Sequence, residues 1–441
     1  MGLVDAIRAA GVVGAGGAGF PAHVKAQSRV DVLIANGAEC EPVLVTDQWV
    51  MARHAGEIAE AIREVGAAVG ARRLVLATKH KYQEVIRRFR PFLDGPLAIE
   101  LFELGDFYPS GDEQVLVHEV TGRVVPEGGL PLDVGALVQN VSTLLNIRRA
   151  IAGQPVLLKH VTVAGEVPRP GVYVVPIGIA VRDVIAAAGG PTVRESRVIE
   201  GGPMMGFLVP DLERPVTKTT SGYLVLPPDH PLVQRLAITH EAEQRNAMAV
   251  CCGCRLCTDL CPRYLLGHRI EPHRAMRAVH ARMEEAAHIL QMGALCCLCG
   301  VCEAYACPMG LSPRRVFETF KQRLAKEKVP PVYRARPESA REAHAWSRVP
   351  KQRLTERLQL ARYLLPPVGE PEPVPEPFEV RIPLRQHIGA PCVPLVRAGD
   401  RVRAGDCIGE IPSGALGARV HASVSGVVRS VDGSAVRIRR E

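Results

Sequence analysis

Cys251, Cys254, Cys257 and Cys261 follow one another at steps of three, three and four residues, and Pro262 comes directly after the last. Cys296, Cys299, Cys302 and Cys307 repeat the pattern with one extra residue before the fourth thiol, followed by Pro308. Three thiolates at steps of three wrap a loop around one face of an iron–sulfur cubane, and soft, charged sulfur donors suit iron. In such runs the cysteine before the proline leaves its loop and ligates the other cluster. The spacing therefore predicts two crossed 4Fe-4S ligand sets: Cys251, Cys254, Cys257 with Cys307, and Cys296, Cys299, Cys302 with Cys261. Two zinc sites are the alternative, but zinc bound by four cysteines normally takes two pairs split by a longer loop. Cys252 and Cys297 fall out of frame. Ten of the thirteen cysteines lie between 251 and 307, which argues for metal, since a disulfide scaffold spreads its cysteines through a short secreted chain.

A second candidate site lies at the N-terminus. Gly14, Gly16 and Gly19 match the dinucleotide fingerprint, but they follow the helix-like VDAIRAAGVV rather than a strand. The stretch GAGGAGFP, with Lys25 shortly after, offers close backbone approach and a cation for a phosphate; a plain tight turn is the alternative for the glycines alone. Asn36, Glu39 and Glu41 fall just beyond an apolar run, where open α/β sheets bind ligands. Cys40, between them, reads as a small buried residue rather than a group touching a ligand. Four histidines, 268, 273, 280 and 288, sit on the connector between the cysteine runs and read as a solvated face rather than ligands.

The elements that must position these residues show as changes of texture along 441 residues, room for three or four domains. Val/Leu/Ile runs at 30–37, 73–79 and 97–104 alternate with helical apolar spacing at 49–69 and 82–89, the pattern of a doubly wound α/β domain over residues 1–150. From 161 short strands broken by glycine and proline predict a small mixed β domain, residues 232–330 read as helical, and 379–439 as an all-β module. Residues 366–377 form a proline-rich acidic spacer expected to be extended. No window approaches the ~18 uninterrupted apolar residues of a membrane span, so the expectation is a soluble or peripheral protein. Asp5 and Arg8 interrupt the apolar N-terminus and argue against a signal peptide, and so many reduced thiols argue for the cytoplasm. The net charge of +8 traces to residues 314–362, where fourteen Lys/Arg face five Asp/Glu. With almost no aromatics there for base stacking, this segment is expected to be a solvated helical linker or a docking surface for an acidic partner, not a nucleic-acid site.

Residues 11–25, NGAECEP at 36–42, SGDEQ at 110–114 and VQNVSTL at 138–144 resemble the flavin- and NADH-binding subunit of respiratory complex I, and more closely the RnfC family of electron-transfer proteins. The resemblance implies FMN held by Gly14, Gly16, Gly17, Lys25, Asn36 and Asn140, with Gly19 in the same loop. It places Glu39, Glu41, Asp112 and Glu113 near the flavin ring or the nicotinamide, with Glu39, Glu41 and Glu113 as the candidate catalytic carboxylates. An Asp of the complex I protein is replaced here by Ala38.

VTVAGEVPRPGVY through GGPMMG resembles the soluble-ligand-binding β-grasp (SLBB) domain, and the C-terminal stretch resembles the RnfC barrel-sandwich module. That module contains no lysine from 378 to 441, so it cannot carry a lipoyl or biotinyl arm and serves packing or docking. The implied fold class is multidomain: α/β at 1–150, β-grasp at 155–228, a helical two-cluster, ferredoxin-like segment at 232–330, a basic then proline-rich linker at 331–377, and an all-β barrel-sandwich module at 378–441. The order, flavin domain first and sandwich last, is similar to the cobalamin reductase family of propanediol-utilisation microcompartments. That likeness implies an oxidoreductase passing electrons from NADH through FMN and two 4Fe-4S clusters to cob(III)alamin or cob(II)alamin, for coenzyme B12 recycling. Its partners would be a corrinoid with its adenosyltransferase and diol dehydratase, and its location the cytoplasm, inside a microcompartment shell. Two other readings stay open: an RnfC-like peripheral subunit of a membrane ion-translocating ferredoxin:NAD oxidoreductase, and an adaptor of the proline reductase type that does not oxidise NADH.

Overall fold

The computed structural model describes residues 2–95, 97–281, 286–366 and 374–441, apart from the side chain of His280. Most of the proline-rich spacer, 367–373, lies outside the described residues.

The N-terminal layer is a four-stranded parallel sheet in the order β3-β2-β1-β5, with β1 Val32–Gly37, β2 Arg73–Lys79, β3 Ile99–Leu104 and β5 Ala136–Asn140; β4, Phe107–Tyr108, stands apart from it. Successive side chains point to opposite faces of a strand. Leu33 and Ala35 of β1, with Leu74 and Leu76 of β2, accordingly enter a core built with helices α1 (Leu3–Ala9), α2 (Ala22–Lys25), α3 (Thr46–Arg53), α4 (Ala55–Val69), α5 (Gln83–Phe89) and α7 (Val141–Ile151). Val32, Ile34, Val75 and Ala77 enter the opposite core against α6 (Glu113–Thr121). Helix α4 buries Ile58, Ile62, Val65 and Val69, one stripe at helical spacing, and ends at Gly70, whose φ of 70° suits a residue without a Cβ.

Where the apolar spacing predicts one helix over 49–69, there are two. His54 leaves helical geometry (φ −120°, ψ 30°), and its ring turns toward Trp49 and His160, at centroid distances of 6.2 and 6.1 Å. The fourth strand, β5, has too few apolar residues to register as a run.

A second sheet follows in the order β7-β6-β10-β8-β9, made of β6 Leu158–Gly165, β7 Gly171–Pro176, β8 Arg197–Glu200, β9 Phe207–Leu208 and β10 Gly222–Leu226. Only β6 and β10 pair in parallel, and α8 (Val181–Ala187) packs its apolar residues on the sheet. The cysteine segment is helical: α9 Pro231–Ala237, α10 His240–Val250, α11 Leu256–Asp259, α12 Pro262–Leu265, α13 Pro272–His280, α14 Ala287–Gln291 and α15 Pro313–Lys326, around a core of Met276, Leu295, Phe317 and Phe320 among others. Beyond it, β11 (Val349–Pro350) pairs antiparallel with β4 and leads into α16 (Lys351–Arg357). The C-terminal module comprises β12 Glu379–Pro383, β13 Val393–Pro394, β14 Arg401–Val402, β15 Cys407–Glu410, β16 Val420–His421, β17 Gly426–Val431 and β18 Ala435–Arg440. They form a four-stranded and a three-stranded antiparallel sheet around one apolar core, without barrel closure.

The basic segment is not a solvated linker. Lys351 is buried and its Nζ donates to the Glu39 carbonyl at 3.1 Å. Arg314 pairs with buried Glu303 and donates to the Met204 carbonyl. Arg315 donates to the carbonyls of Arg235 and Leu236, Arg348 pairs with Glu119, and Arg362 with Glu166. The cations of this segment staple layers of the same chain together, because each of those layers presents carbonyls or carboxylates that need a partner once buried.

His160 is buried beside Trp49 and Arg149, and loss of hydration pushes its imidazole down to about 3. The folded state holds this ring neutral, so stability is full above the ordinary value of 6.5 and is lost as pH falls from there toward 3. His160→Phe is expected to flatten the acid limb of denaturant-unfolding stability by up to about 1.4 kcal/mol per pH unit; an unchanged limb would refute the assignment.

Candidate functional site

Strand β1 has β2 on one side and β5 on the other, so the crevice at the carboxyl ends of β1 and β5 is where the sheet order reverses, the place where open α/β sheets bind ligands. Asn36 and Asn140 are paired across these two strands. Asn36 Nδ2 donates to the Gly111 carbonyl at 2.9 Å and its Oδ1 accepts from the Ala38 amide at 3.1 Å. Asn140 caps α7, accepting from the Ser142 amide at 2.9 Å, and donates to Asp47 at 2.7 Å.

The glycine-rich loop crosses the mouth of this crevice. It lies between α1 and α2 rather than between a strand and a helix, so the dinucleotide-fingerprint context is absent. The Gly14 amide donates to the Phe20 carbonyl, and the Ala15 amide to Thr143 Oγ1 of α7 at 2.9 Å. From the second sheet, buried Lys159 donates its Nζ to the Ala15 carbonyl at 3.0 Å. Gly16, Gly17 and Ala18 are exposed. A Cβ on Gly16 would stand 3.3 Å from Asn140 Nδ2, and Gly17 holds φ +109°. The loop is therefore an open cradle with a cation beneath it, which fits a phosphorylated flavin. Gly19 carries φ +66° and lies against Thr219 and the 386–387 backbone, so it serves packing of the loop.

Lys25 Nζ donates to Glu113 Oε1 at 3.0 Å and to the Val138 carbonyl, which brings Lys25 and Glu113 together at this edge. Glu39 is partly exposed, and loss of hydration together with nearby Asp47 raises its carboxyl to about 8.

Two of the expected flavin-side carboxylates are committed elsewhere. Asp112 caps α6 through the Gln114 and Val115 amides and forms a bidentate pair with Arg263, at 2.5 and 2.9 Å. Despite burial, the guanidinium holds the Asp112 carboxyl below its ordinary value. Glu41 accepts the Met204 and Met205 amides of the second-sheet loop at 2.9 and 3.0 Å, and burial raises it to about 7. Gly202 is obligatory there: a Cβ on it would lie 2.1 Å from Glu41 Oε2.

The eight in-frame cysteines line two cavities of similar size. Cys251, Cys254, Cys257 and Cys307 line one, with Cys252 beside them; Cys261, Cys296, Cys299 and Cys302 line the other, with Cys297. All thirteen cysteines are free thiols. Among the described residues no three metal-ligating side chains converge on a single-ion site. Thiolates spread around a cavity suit a cluster in which each holds a different iron, whereas one zinc ion needs four ligands about 2.3 Å from a common point. Burial raises the thiols of Cys257 and Cys296 to about 12.

The connector histidines are not one solvated face. His268 is buried, with Nε2 2.8 Å from the Val125 carbonyl, and His273 bonds Thr258 Oγ1 through Nδ1 and lines the first cavity; His288 is exposed. Cys40 packs among Tyr108, Met204 and Cys299, and burial raises its thiol to about 12. The sequence reading missed Tyr108, whose hydroxyl donates to the Cys299 carbonyl at 2.7 Å, and Arg263. Their signal was adjacency: Tyr108 stands just before SGDEQ, and Arg263 just after Cys261-Pro262.

An α/β layer with a cradle at its switch point, joined to two thiol-lined cavities, defines an oxidoreductase that carries FMN and iron–sulfur centres. Family models agree segment by segment: a Nuo51 FMN-binding domain over residues 7–149, an SLBB domain over 160–208, a 4Fe-4S dicluster domain over 250–312 and an RnfC barrel sandwich hybrid domain over 370–440. The chain belongs to the family of the cobalamin reductase PduS: it is 44% identical to the proteins of that name from Salmonella typhimurium and Citrobacter freundii over 438 residues, covering 99% of this chain and 96% of theirs. It is 35% identical over 273 residues to a component of the ion-translocating oxidoreductase complex of Cronobacter sakazakii, covering 61% of this chain and 34% of that one. Among solved structures, a chain of an NAD+-reducing NiFe-hydrogenase superposes with TM-score 0.50 at 21% identity, over 75% of this chain and 62% of that one, a likeness of fold.

Arg263 and Asp112 are both nearly buried, so removing one strands the other's charge. Arg263→Ala is expected to cost about 3 to 5 kcal/mol in denaturant unfolding, and Arg263→Met with Asp112→Asn to recover most of it. A single-variant loss below about 1 kcal/mol would show that the pair behaves as a surface ion pair.

Proposed function

We propose that this chain oxidises NADH at the β1–β5 crevice and delivers the electrons singly, through two 4Fe-4S clusters, to a corrinoid. The observation that carries the reading is the contact of the Cys261, Cys296, Cys299 and Cys302 cavity with the α/β layer through Tyr108 and the Asp112–Arg263 pair, together with relatives named cobalamin reductase over almost the whole chain. In this reading Cys251, Cys254, Cys257 and Cys307 hold one cluster, and Cys261, Cys296, Cys299 and Cys302 the other. Gly14, Gly16, Gly17, Lys25, Asn36 and Asn140 seat the FMN, with Lys159 supplying charge beneath the loop.

Bound FMN supplies the conversion of a two-electron hydride donor into one-electron steps. The protein's own part is positional. The open loop at Gly16–Ala18 admits a phosphate, Asn36 and Asn140 fix the strand ends beside it, and Glu39, raised to about 8, can hold or release a proton near neutral pH at its carboxylate. Glu113, exposed and bound to Lys25, stands where a nicotinamide ribose or amide could reach it. The product would be a corrinoid reduced from the cob(III)alamin or cob(II)alamin level for adenosylation, with an adenosyltransferase and diol dehydratase as partners within a microcompartment. Among the described residues no helix is long and apolar enough to cross a membrane. The match to the ion-translocating complex covers only a third of the matched protein, which favours the cobalamin reading over a membrane-pump component.

Anaerobic titration of the reconstituted protein with NADH is expected to bleach the flavin; an unbleached flavin would favour an adaptor fed by another donor. Cys254→Ala is expected to leave that bleaching intact and abolish reduction of a one-electron acceptor. Equal loss of both would overturn the order flavin before cluster. Cys252→Ala and Cys297→Ala are expected to retain full iron content by colorimetric assay, since neither belongs to a ligand set; loss of half the iron in either would reassign it as a ligand.

A further inference from the structure

We infer that the fold gives the relay a direction: the cavity of Cys261, Cys296, Cys299 and Cys302 is the inner station, loaded from the flavin side, and the cavity of Cys251, Cys254, Cys257 and Cys307 is the outlet to a one-electron acceptor arriving from solvent. This rests on the iron–sulfur reading of the two sets.

Nothing in the cysteine spacing ranks the two sets, because each is a triplet plus a borrowed thiol. The surroundings rank them. The inner cavity touches the α/β layer at two places and the second-sheet loop at a third. Tyr108, 2% exposed, donates its hydroxyl to the Cys299 carbonyl at 2.7 Å. Arg263, two residues after Cys261, clasps Asp112, two residues after Ser110 of the SGDEQ stretch. Gly300, at φ +78°, backs onto the second-sheet loop: a Cβ there would crowd the Met204 carbonyl at 3.0 Å, and the Met204 amide is held by Glu41. Val43, Tyr108, Met204 and Cys299 share one apolar core, with Cys40 and Cys297 packed against it. Cys40 and Glu41 of the NGAECEP stretch, which follows β1, therefore reach the core and the loop that carry Cys299 and Met204.

Among the described residues the lining of the outer cavity has no hydrogen bond or ion pair to the α/β layer; the Cys307 carbonyl accepts from Arg357 of α16. Cys251 and Cys307 pack on a core drawn from residues 247–333, which also takes Cys261 and Cys296; only the inner set, through Cys299, reaches in addition the core that holds Tyr108 and Val43. Of the outer set Cys254 is exposed, Cys251 and Cys307 are half-buried and Cys257 is buried, whereas three of the inner set, Cys261, Cys299 and Cys302, are buried and Cys296 is half-buried. Electron transfer by tunnelling weakens steeply with distance, so the station wrapped by the α/β layer is the one the flavin can reach, and the station open to solvent is the one an acceptor can reach. Each passage moves one electron: the flavin side is oxidised by one, the inner station is reduced and then reoxidised as the outer station is reduced, and the acceptor ends one electron richer. No bond is made or broken between the two sets and no proton is required there.

The test uses the full chain loaded with FMN, iron and sulfide, with the flavin reduced by light rather than by NADH, and freeze-quench electron paramagnetic resonance as the readout. A chain that does not oxidise NADH would then overturn the proposed donor and leave this readout intact. In Cys254→Ser the inner-set signal is expected to appear as in the unaltered protein. In Cys299→Ser the outer-set signal is expected to be lost on flavin photoreduction and to appear in full with dithionite. Loss of the inner signal in Cys254→Ser, or an outer signal that develops unimpeded in Cys299→Ser, overturns the direction. Tyr108→Phe touches no thiol and removes only the hydroxyl above Cys299. It is expected to shift the inner-set signal and leave the outer one in place; the reverse pattern also overturns the proposal.

Discussion

The guanidinium of Arg263 is where the two halves of this protein are joined. It lies two residues beyond Cys261, inside a buried bidentate pair with Asp112, and the same Asp112 carboxylate caps α6. Burying such a pair costs several kcal/mol of desolvation per ion, so it adds little net stability. What it does impose is geometry, because a planar fork against a carboxylate tolerates one orientation. The cysteine segment is thereby held in one register against the strand ends. Glu41 with the Met204 and Met205 amides, and Lys351 with the Glu39 carbonyl, repeat the device at neighbouring points.

These joints give the basic segment a meaning that its composition hides. A run of fourteen cations against five anions reads as a surface, yet Lys351 is buried and Arg314, Arg348, Arg357 and Arg362 each reach a carbonyl or carboxylate of another layer, while Arg315 ties α15 to α9. Long side chains with a polar tip can span a seam between layers and satisfy the backbone groups stranded on its far side. The excess of positive charge is partly the cost of closing seams in a chain built of several small cores.

The two thiol cavities are near twins in donor chemistry and differ in setting. In each, backbone amides donate to sulfur, among them Leu298 to Cys296 at 3.3 Å and Leu311 to Cys307 at 3.4 Å. Exposure is what separates them, and exposure is one of the levers that set cluster potentials. The raised thiol values of Cys257 and Cys296 mean that loading iron must displace protons from the buried sulfurs.

Much of this could be read along the chain. Strand β2, and β1 and β3 within two residues, showed as apolar runs, β1 and β2 because both of their faces are buried in the parallel sheet. The cysteine triplets showed because ligation of a cubane imposes a local spacing. The break at His54, the burial of His268, the diversion of Asp112 and Glu41 into joints, and the inward turn of the basic segment did not show. Each depends on a partner far along the chain, the His54 break among them, since its ring meets His160 of the second sheet. The sequence by itself determined which thiols could ligate and which loop could admit a phosphate, since those requirements are local in spacing and in side-chain size. Only the tertiary structure decided which cysteine set packs against the α/β layer and which is more open to water, because burial is a property of how layers pack and leaves no trace in the spacing of the residues being buried.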